Sequence, residues 1–228
     1  MDVVFVGHSY TRRMRNHYMG MHVGDDETRD IVGDRSAELA KALGISQHFE
    51  GAYTLSDKVI HARDLWDLIP SIHDIQPAIV NIAIGTNDLA LLGKHDPNEC
   101  LLLANTVLEF ARATNAPVVI VEAILPRKKG ISSTPTIFRQ NATLYNSIIR
   151  NTVSISDTPA TAYNKLRGFT YKYIDGKETE RDIDDWSHDG IHMDTQERPR
   201  GADTPAPMRT YAQRVRQVVM SHIGRLLP

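Results

Sequence analysis

The sequence lacks the features that mark disulfide-rich, membrane-spanning and nucleic-acid-binding proteins. It has one cysteine, Cys100, in 228 residues, which excludes an intrachain disulfide and is compatible with a reducing compartment. No apolar run approaches the ~20 residues that a membrane-spanning helix needs. The formal net charge is −2, so no overall basic field favours nucleic acid or an anionic membrane as a partner.

Motifs for metals and dinucleotide cofactors are also missing. No group of histidine, cysteine and acidic residues has the spacing of a zinc site, and the pair His188 and His192 lacks the glutamate of a metalloprotease helix. No glycine-rich fingerprint follows the first apolar run. We therefore predict a protein that uses neither a metal nor an organic cofactor.

The first residues do not resemble a targeting signal. Asp2 stands where a secretory signal would carry a basic residue, and the apolar run that follows is too short for one. We expect the cytoplasm by default, although the localisation stays unknown if the chain is a domain of a longer protein. Short basic runs, at 12–15 and 127–129, are interpreted as solvated surface because no aromatic residues alternate with them.

Apolar and helical patterns alternate along the chain. Buried strands are predicted at 3–6, 78–84 and 118–121, and a more polar strand at 169–174. The predicted helices are 10–18, 34–43, 59–75 with a break at Pro70, 98–114 with Asn98 as its cap, 136–153, and 207–226. This alternation predicts a three-layer α/β/α sandwich around a mostly parallel sheet of about five strands. We expect one domain over 1–228, with an insertion at 194–207 before the last helix.

Polar residues follow the first two buried strands, where ligands bind in an open parallel sheet. The segments are Gly7-His8-Ser9 and Gly85-Thr86-Asn87-Asp88, and a third segment, Asp189-Gly190-Ile191-His192, precedes the last helix. Each alone also suits a helix cap or a turn. Their side chains are, however, those that acyl transfer requires.

A serine hydroxyl needs a base within hydrogen-bonding distance, and the base needs a third group that fixes its tautomer. We predict Ser9 as the nucleophile, His192 as the base, and Asp189, three residues earlier, as the group that orients His192. The backbone N–H of Ser9 and the side-chain amide of Asn87 are the predicted oxyanion donors.

These three segments resemble the conserved blocks of the SGNH hydrolases, also called GDSL-type esterases and lipases. The blocks of that family are Gly-Asp-Ser, Gly-x-Asn-Asp and Asp-x-x-His, and they occur here in the same order. The resemblance implies a flavodoxin-like fold and ester hydrolysis through a Ser-His-Asp triad. It also implies a glycine donor to the oxyanion from a further block, for which Gly51 is the candidate by position and a plain turn glycine is the alternative.

The sequence departs from the family pattern at His8, where the family usually has aspartate. This resembles a Gly-His-Ser variant of animal members, some of them carried by mobile elements. We do not expect His8 to act as the base, because neighbouring side chains of an extended segment point to opposite sides. A second Asp-x-x-His occurs at Asp185 and His188, and we prefer the later pair because its glycine-aliphatic-histidine-aliphatic run matches the family.

The predicted substrate is a small-molecule, acylated-carbohydrate or lipid ester. The polar composition of the 194–207 insertion favours a short acyl group over a long one. An inactive binding module of the same fold, possibly within a mobile-element protein, is the alternative. Oligomeric state cannot be inferred from the sequence.

Overall fold

The computed structural model describes residues 1–12, 14, 34–36, 40–41, 43–46, 51–55, 59–125, 127, 132–155, 160–164, 172–174, 177–179, 207–223 and 226. The statements that follow concern this part of the chain.

A six-stranded sheet organises the molecule, with strands in the order β2-β3-β1-β4-β5-β6. The strands are β1 (Asp2–Gly7), β2 (Asp34–Ser36), β3 (Gly51–Leu55), β4 (Ile79–Ala83), β5 (Val118–Glu122) and β6 (Ala160–Asn164). Only β2 is antiparallel to its neighbour; the other five strands are parallel. A separate antiparallel pair is formed by β7 (Lys172–Ile174) and β8 (Lys177–Thr179).

Helices alternate with these strands. A 3-10 helix, Ala62–Leu68, leads into α1 (Ile69–Ile75), and α2 (Thr86–Ala90), α3 (Pro97–Ala113), α4 (Pro135–Ile155) and α5 (Pro207–Ile223) follow. Pro70 lies in the first turn of α1, where its missing N–H costs nothing. Among the described helices, none has the length and apolar character needed to cross a bilayer.

Side chains alternate between the two faces of the sheet, and each face has its own apolar core. On one face, Val4, Val80 and Val119 pack among residues of the 3-10 helix and of α1 to α4. On the other face, Phe5 and Ile120 pack against residues of α5. Strands covered on both sides are expected to be continuously apolar, and β4 and β5 are buried along their whole length.

The predicted three-layer α/β fold with a mostly parallel sheet is confirmed. The parallel strands, taken along the chain, have the order 2-1-3-4-5, which is the flavodoxin-like arrangement. In this order the chain turns in opposite directions from β1, so that β3 lies on one side and β4 on the other. The ligand crevice of such sheets lies where β1 and β4 end.

Three local predictions were wrong. Residues 34–36 form the edge strand β2 instead of starting a helix, because pairing with β3 outweighs the weak local helix pattern. The predicted strand 169–174 is a strand at 172–174, but it pairs with β8 outside the main sheet, and the fifth parallel strand is β6, at 160–164. The cap of α3 is Asp96, whose carboxylate accepts the Glu99 N–H at 3.3 Å, and not Asn98.

A carboxyl group is buried at the carboxyl end of β5. One oxygen of Glu122 accepts the Asn81 side-chain N–H at 2.6 Å, and the other accepts the hydroxyl of Tyr211 from α5. Burial raises the pKa of Glu122 to about 7, although the hydrogen bonds from Tyr211 and Asn81 oppose the rise. These contacts attach α5 to the centre of the sheet.

We expect the stability of the protein to depend on pH through Glu122. The carboxyl group of Glu122 binds its proton more tightly in the folded state than in the unfolded chain. Its contribution to the free energy of unfolding is therefore complete below about pH 4.5 and is lost as the pH rises to about 7. Glu122→Gln, which cannot ionise, removes this loss, worth up to about 3 kcal/mol. Urea unfolding of both proteins between pH 4.5 and 8 measures it.

The exposed Glu99 offers a matched control. Glu99→Gln is expected to leave the pH dependence of the unfolding free energy as it is in the unmodified protein. If the unfolding free energies of the unmodified protein and of Glu122→Gln differ by the same amount at every pH in this range, Glu122 is not the group responsible for the pH dependence.

Candidate active site

The turn after β1 has no room for a side chain at position 7. A Cβ on Gly7 would lie 2.5 Å from the carbonyl oxygen of Ala83 and would collide with Oγ1 of Thr11. The His8 N–H donates to the same Ala83 carbonyl at 3.4 Å. Residues 9–12 then take helical conformation. The glycine therefore allows β1 to end against β4 and places Ser9 at the start of a helical turn.

His8 lies beside Ser9. Its Nδ1 is 3.3 Å from the Oγ of Ser9, and only 3% of His8 is exposed, whereas Ser9 is partly exposed. The expectation that His8 points away from Ser9 was wrong. The strand ends at Gly7, so the strict alternation of an extended segment no longer applies at positions 8 and 9.

The turn after β4 depends on a glycine in the left-handed region. Gly85 has a φ of 103° and precedes α2 as its N-cap. A Cβ there would also lie 2.8 Å from Cδ1 of Ile124. The backbone angle and the lack of space each favour glycine at this position. Asn87 and Asp88 follow in the first turn of α2.

Asn87 is held by the backbone that precedes the 3-10 helix. Its Nδ2 donates to the carbonyl oxygen of Ile60 at 3.0 Å. An amide nitrogen carries two hydrogens, so this bond uses one and fixes the direction of the other. The side chain is thus oriented before any ligand binds, as an oxyanion donor has to be.

Asp88 fixes the same segment from the other side. Its two carboxylate oxygens accept the Ala62 N–H at 3.1 and 3.3 Å, and Oδ1 lies 3.5 Å from Nδ1 of His61. Burial raises the pKa of Asp88, while the Ala62 hydrogen bond and the charge of His61 lower it in part. The sequence motif contained Asp88, but its long-range acceptor role has no signal in the sequence.

A cavity opens beside Asp88, between the 3-10 helix, α2 and α3. It encloses about 160 Å³, which is smaller than the roughly 300–1,000 Å³ of most small-molecule pockets. The wall is mostly apolar side chains with three charged groups; the residues are Ala62, Arg63, Asp88, Leu89, Leu92, Glu99, Leu102, Leu103 and Thr106. The cavity therefore suits an apolar or mixed group.

Two of the predicted site residues follow neighbouring strands. Ser9 and Asn87 follow β1 and β4, which are adjacent and in register at Gly7 and Ala83. Gly51 was wrongly assigned to the oxyanion hole, because it pairs with Asp2 at the amino end of β1, the opposite end from Ser9. The carboxyl end of β3, which does lie beside the crevice, is Leu55.

The predicted base lies outside the described residues. This applies to Asp189 and His192, to the alternative pair Asp185 and His188, and to the insertion up to residue 206. Within the described part of the chain, no three histidine, cysteine or acidic side chains are grouped as metal ligands would be.

The flavodoxin-like sheet, with Ser9 two residues after the end of β1 and Asn87 shortly after β4, marks this edge of the sheet as the candidate site. A family model described as GDSL-like Lipase/Acylhydrolase matches residues 3–198, a range that includes Ser9, Asn87, Asp189 and His192. The chain belongs to this family of GDSL-like lipases and acylhydrolases. The search of curated proteins found no match.

Solved structures share the fold over nearly the whole chain. A putative acylhydrolase from Bacteroides fragilis is 15% identical, with a TM-score of 0.58, over 100% of this chain and 88% of its own. A carbohydrate esterase of family 3 from Talaromyces cellulolyticus is 18% identical, with a TM-score of 0.56, over 99% of both chains. A catalytic mutant of an acetylxylan esterase from Geobacillus stearothermophilus is 13% identical, with a TM-score of 0.57, over 98% and 94%. At these identities the likeness shows the fold.

Replacing the glycine before α2 should destabilise the protein. We expect Gly85→Ala to cost at least about 1–2 kcal/mol from the left-handed backbone alone, and more from the contact with Ile124. Gly93→Ala is the matched control, since a Cβ there meets no described atom within 4 Å and should change stability by less than about 0.5 kcal/mol. Urea unfolding compares the two, and equal losses would contradict this account of the turn.

Proposed function

We propose that this chain is a serine ester hydrolase that acts through an acyl-enzyme on Ser9. His192 removes the proton of the Ser9 hydroxyl as it attacks the ester carbonyl, and then returns that proton to the leaving alcohol. Water, activated in turn by His192, releases the acid. Asp189 holds the imidazole in the tautomer that these transfers require. No cofactor takes part in this scheme.

The oxyanion of the tetrahedral intermediate is stabilised in this proposal by the backbone N–H of Ser9 and by the Asn87 amide. The bond from Asn87 to Ile60 supports this role, because a donor that is already oriented needs no reorganisation when charge develops. Loss of one such donor typically raises the barrier by about 2.7–4 kcal/mol. Gly51 has no part in this scheme.

A single structural observation carries the proposal. Ser9 and Asn87 follow the carboxyl ends of two adjacent parallel strands, β1 and β4, and the strand order of the sheet reverses between these two strands. The family match supports it, since it covers all four proposed residues. Esterases are among the solved structures with the same fold, which points in the same direction.

Covalent labelling tests the nucleophile without knowledge of the natural substrate. We expect a fluorophosphonate to modify the protein once, on the tryptic peptide that contains Ser9, because only an activated serine reacts readily. Ser9→Ala should abolish both labelling and hydrolysis of nitrophenyl acetate. Mass spectrometry identifies the modified residue; folded protein with Ser9 unmodified would refute the mechanism and favour the inactive binding module.

The same assays distinguish the two candidate Asp-x-x-His segments, one with His192 and the other with His188. His192→Ala should reduce hydrolysis by about 10⁴-fold or more, as loss of a triad member does, whereas His188→Ala should retain most of the activity. The reverse result would transfer the roles of base and orienting acid to His188 and Asp185.

We propose an ester with a short acyl group as the substrate. The polar insertion at 194–207 supports this choice. Hydrolysis rates for nitrophenyl esters from two to sixteen carbons should be highest at the short end. A maximum at eight carbons or more would contradict the short-acyl assignment while leaving the serine mechanism intact.

A further inference from the structure

The buried imidazole of His8 lies beside the proposed nucleophile, Ser9. His8 is 3% exposed, yet its Nδ1 is 3.3 Å from the Oγ of Ser9. This histidine is distinct from the proposed base, since it immediately precedes the serine and is buried against the ring of Tyr10. Its burial limits the positions that the ring can take.

The ring of His8 is held by a row of aromatic side chains. It packs against Tyr10 with ring centroids 5.1 Å apart, and Tyr10 packs against Tyr211 of α5 at 6.4 Å. The Tyr211 hydroxyl in turn donates to the buried carboxylate of Glu122. The imidazole therefore rests on side chains that are themselves fixed by the core.

We propose that His8 is a positioning residue that donates its Nδ1–H to the Oγ of Ser9. A serine side chain has three staggered rotamers, and this bond favours the one that presents Oγ to the substrate. When Nδ1–H donates to Oγ, the hydroxyl proton of Ser9 stays available for the base. If Nδ1 were unprotonated, it would accept that proton's hydrogen bond itself. The inference rests on the proposed role of Ser9 and adds a second group that acts on it.

Two amide replacements distinguish the effect of a hydrogen-bond donor at Nδ1 from the effect of side-chain size. In His8→Asn the amide nitrogen occupies nearly the place of Nδ1, whereas in His8→Gln it occupies that of Nε2. We expect His8→Gln to slow phosphonylation of Ser9 about tenfold, as loss of one net hydrogen bond does, and His8→Asn to stay within about threefold of the unmodified protein. With nitrophenyl acetate the loss should appear in kcat and leave KM unchanged.

His73→Gln is the matched control. His73 lies on α1, and its Nε2 is 2.8 Å from the carbonyl oxygen of Ala113, at the end of α3 that leads into the amino end of β5. Its replacement should leave the labelling rate of Ser9 as it is. Thermal unfolding of all three variants confirms that they are folded.

Several results would overturn the inference. One is a His8→Gln protein that labels as fast as the unmodified protein; another is a His8→Asn protein that loses as much as His8→Gln. An unmodified protein that is not labelled at Ser9 would instead refute the proposed function, and the inference with it. If the variants do not fold, nitrogen NMR of ¹⁵N-histidine protein decides: Nδ1 of His8 should carry a proton and shift on phosphonylation, and an unprotonated Nδ1 would refute the donor role.

Discussion

The parallel pairing of β1 with β4 is the contact on which the rest of the site depends. Gly7 pairs with Ala83 at the end of this ladder, and a Cβ on Gly7 would lie 2.5 Å from the Ala83 carbonyl oxygen, so no other residue type fits at position 7 without moving one strand from the other. Ser9 follows Gly7 by two residues and Asn87 follows Ala83 by four, so both come after the same edge of the sheet. The lack of a side chain at position 7 thus sets how closely the two strand ends approach.

The second tie runs between the α2 turn and the start of the 3-10 helix. Asn87 donates to the Ile60 carbonyl, while Asp88 accepts the Ala62 N–H. Neighbouring residues thus bond the same segment in opposite senses, and neither can turn without breaking a bond. Gly85, with its positive φ, gives the chain the direction that both bonds need. In these terms the segment Gly85-Thr86-Asn87-Asp88 is one turn on whose geometry two side chains, those of Asn87 and Asp88, depend.

Sequence alone predicted the sheet, its parallel sense and the positions of Ser9 and Asn87, because long apolar runs and strand-end motifs are local signals. It did not predict β2, β3 or β6. Short edge strands form only when a neighbour supplies the hydrogen bonds, so their own residues carry little signal. Gly51 shows the same limit. Its position in the sequence does not reveal which end of its strand lies beside the crevice, and only the pairing of Gly51 with Asp2 shows that it is the far end.

His8 shows how a local rule fails at a boundary between elements. Alternation holds inside β1, but the backbone turns after Gly7, and the adjacent side chains then lie 3.3 Å apart. The row from His8 through Tyr10 and Tyr211 to Glu122 connects residues from the two ends of the sequence. Glu122, the acidic end of that row, is buried on the face that α5 covers. The packing of the last helix is therefore linked through these side chains to the turn that contains Ser9. A residue that departs from the family pattern at position 8 is therefore best understood through its aromatic neighbours, which provide an imidazole with a fixed place that a shorter carboxylate would not fill.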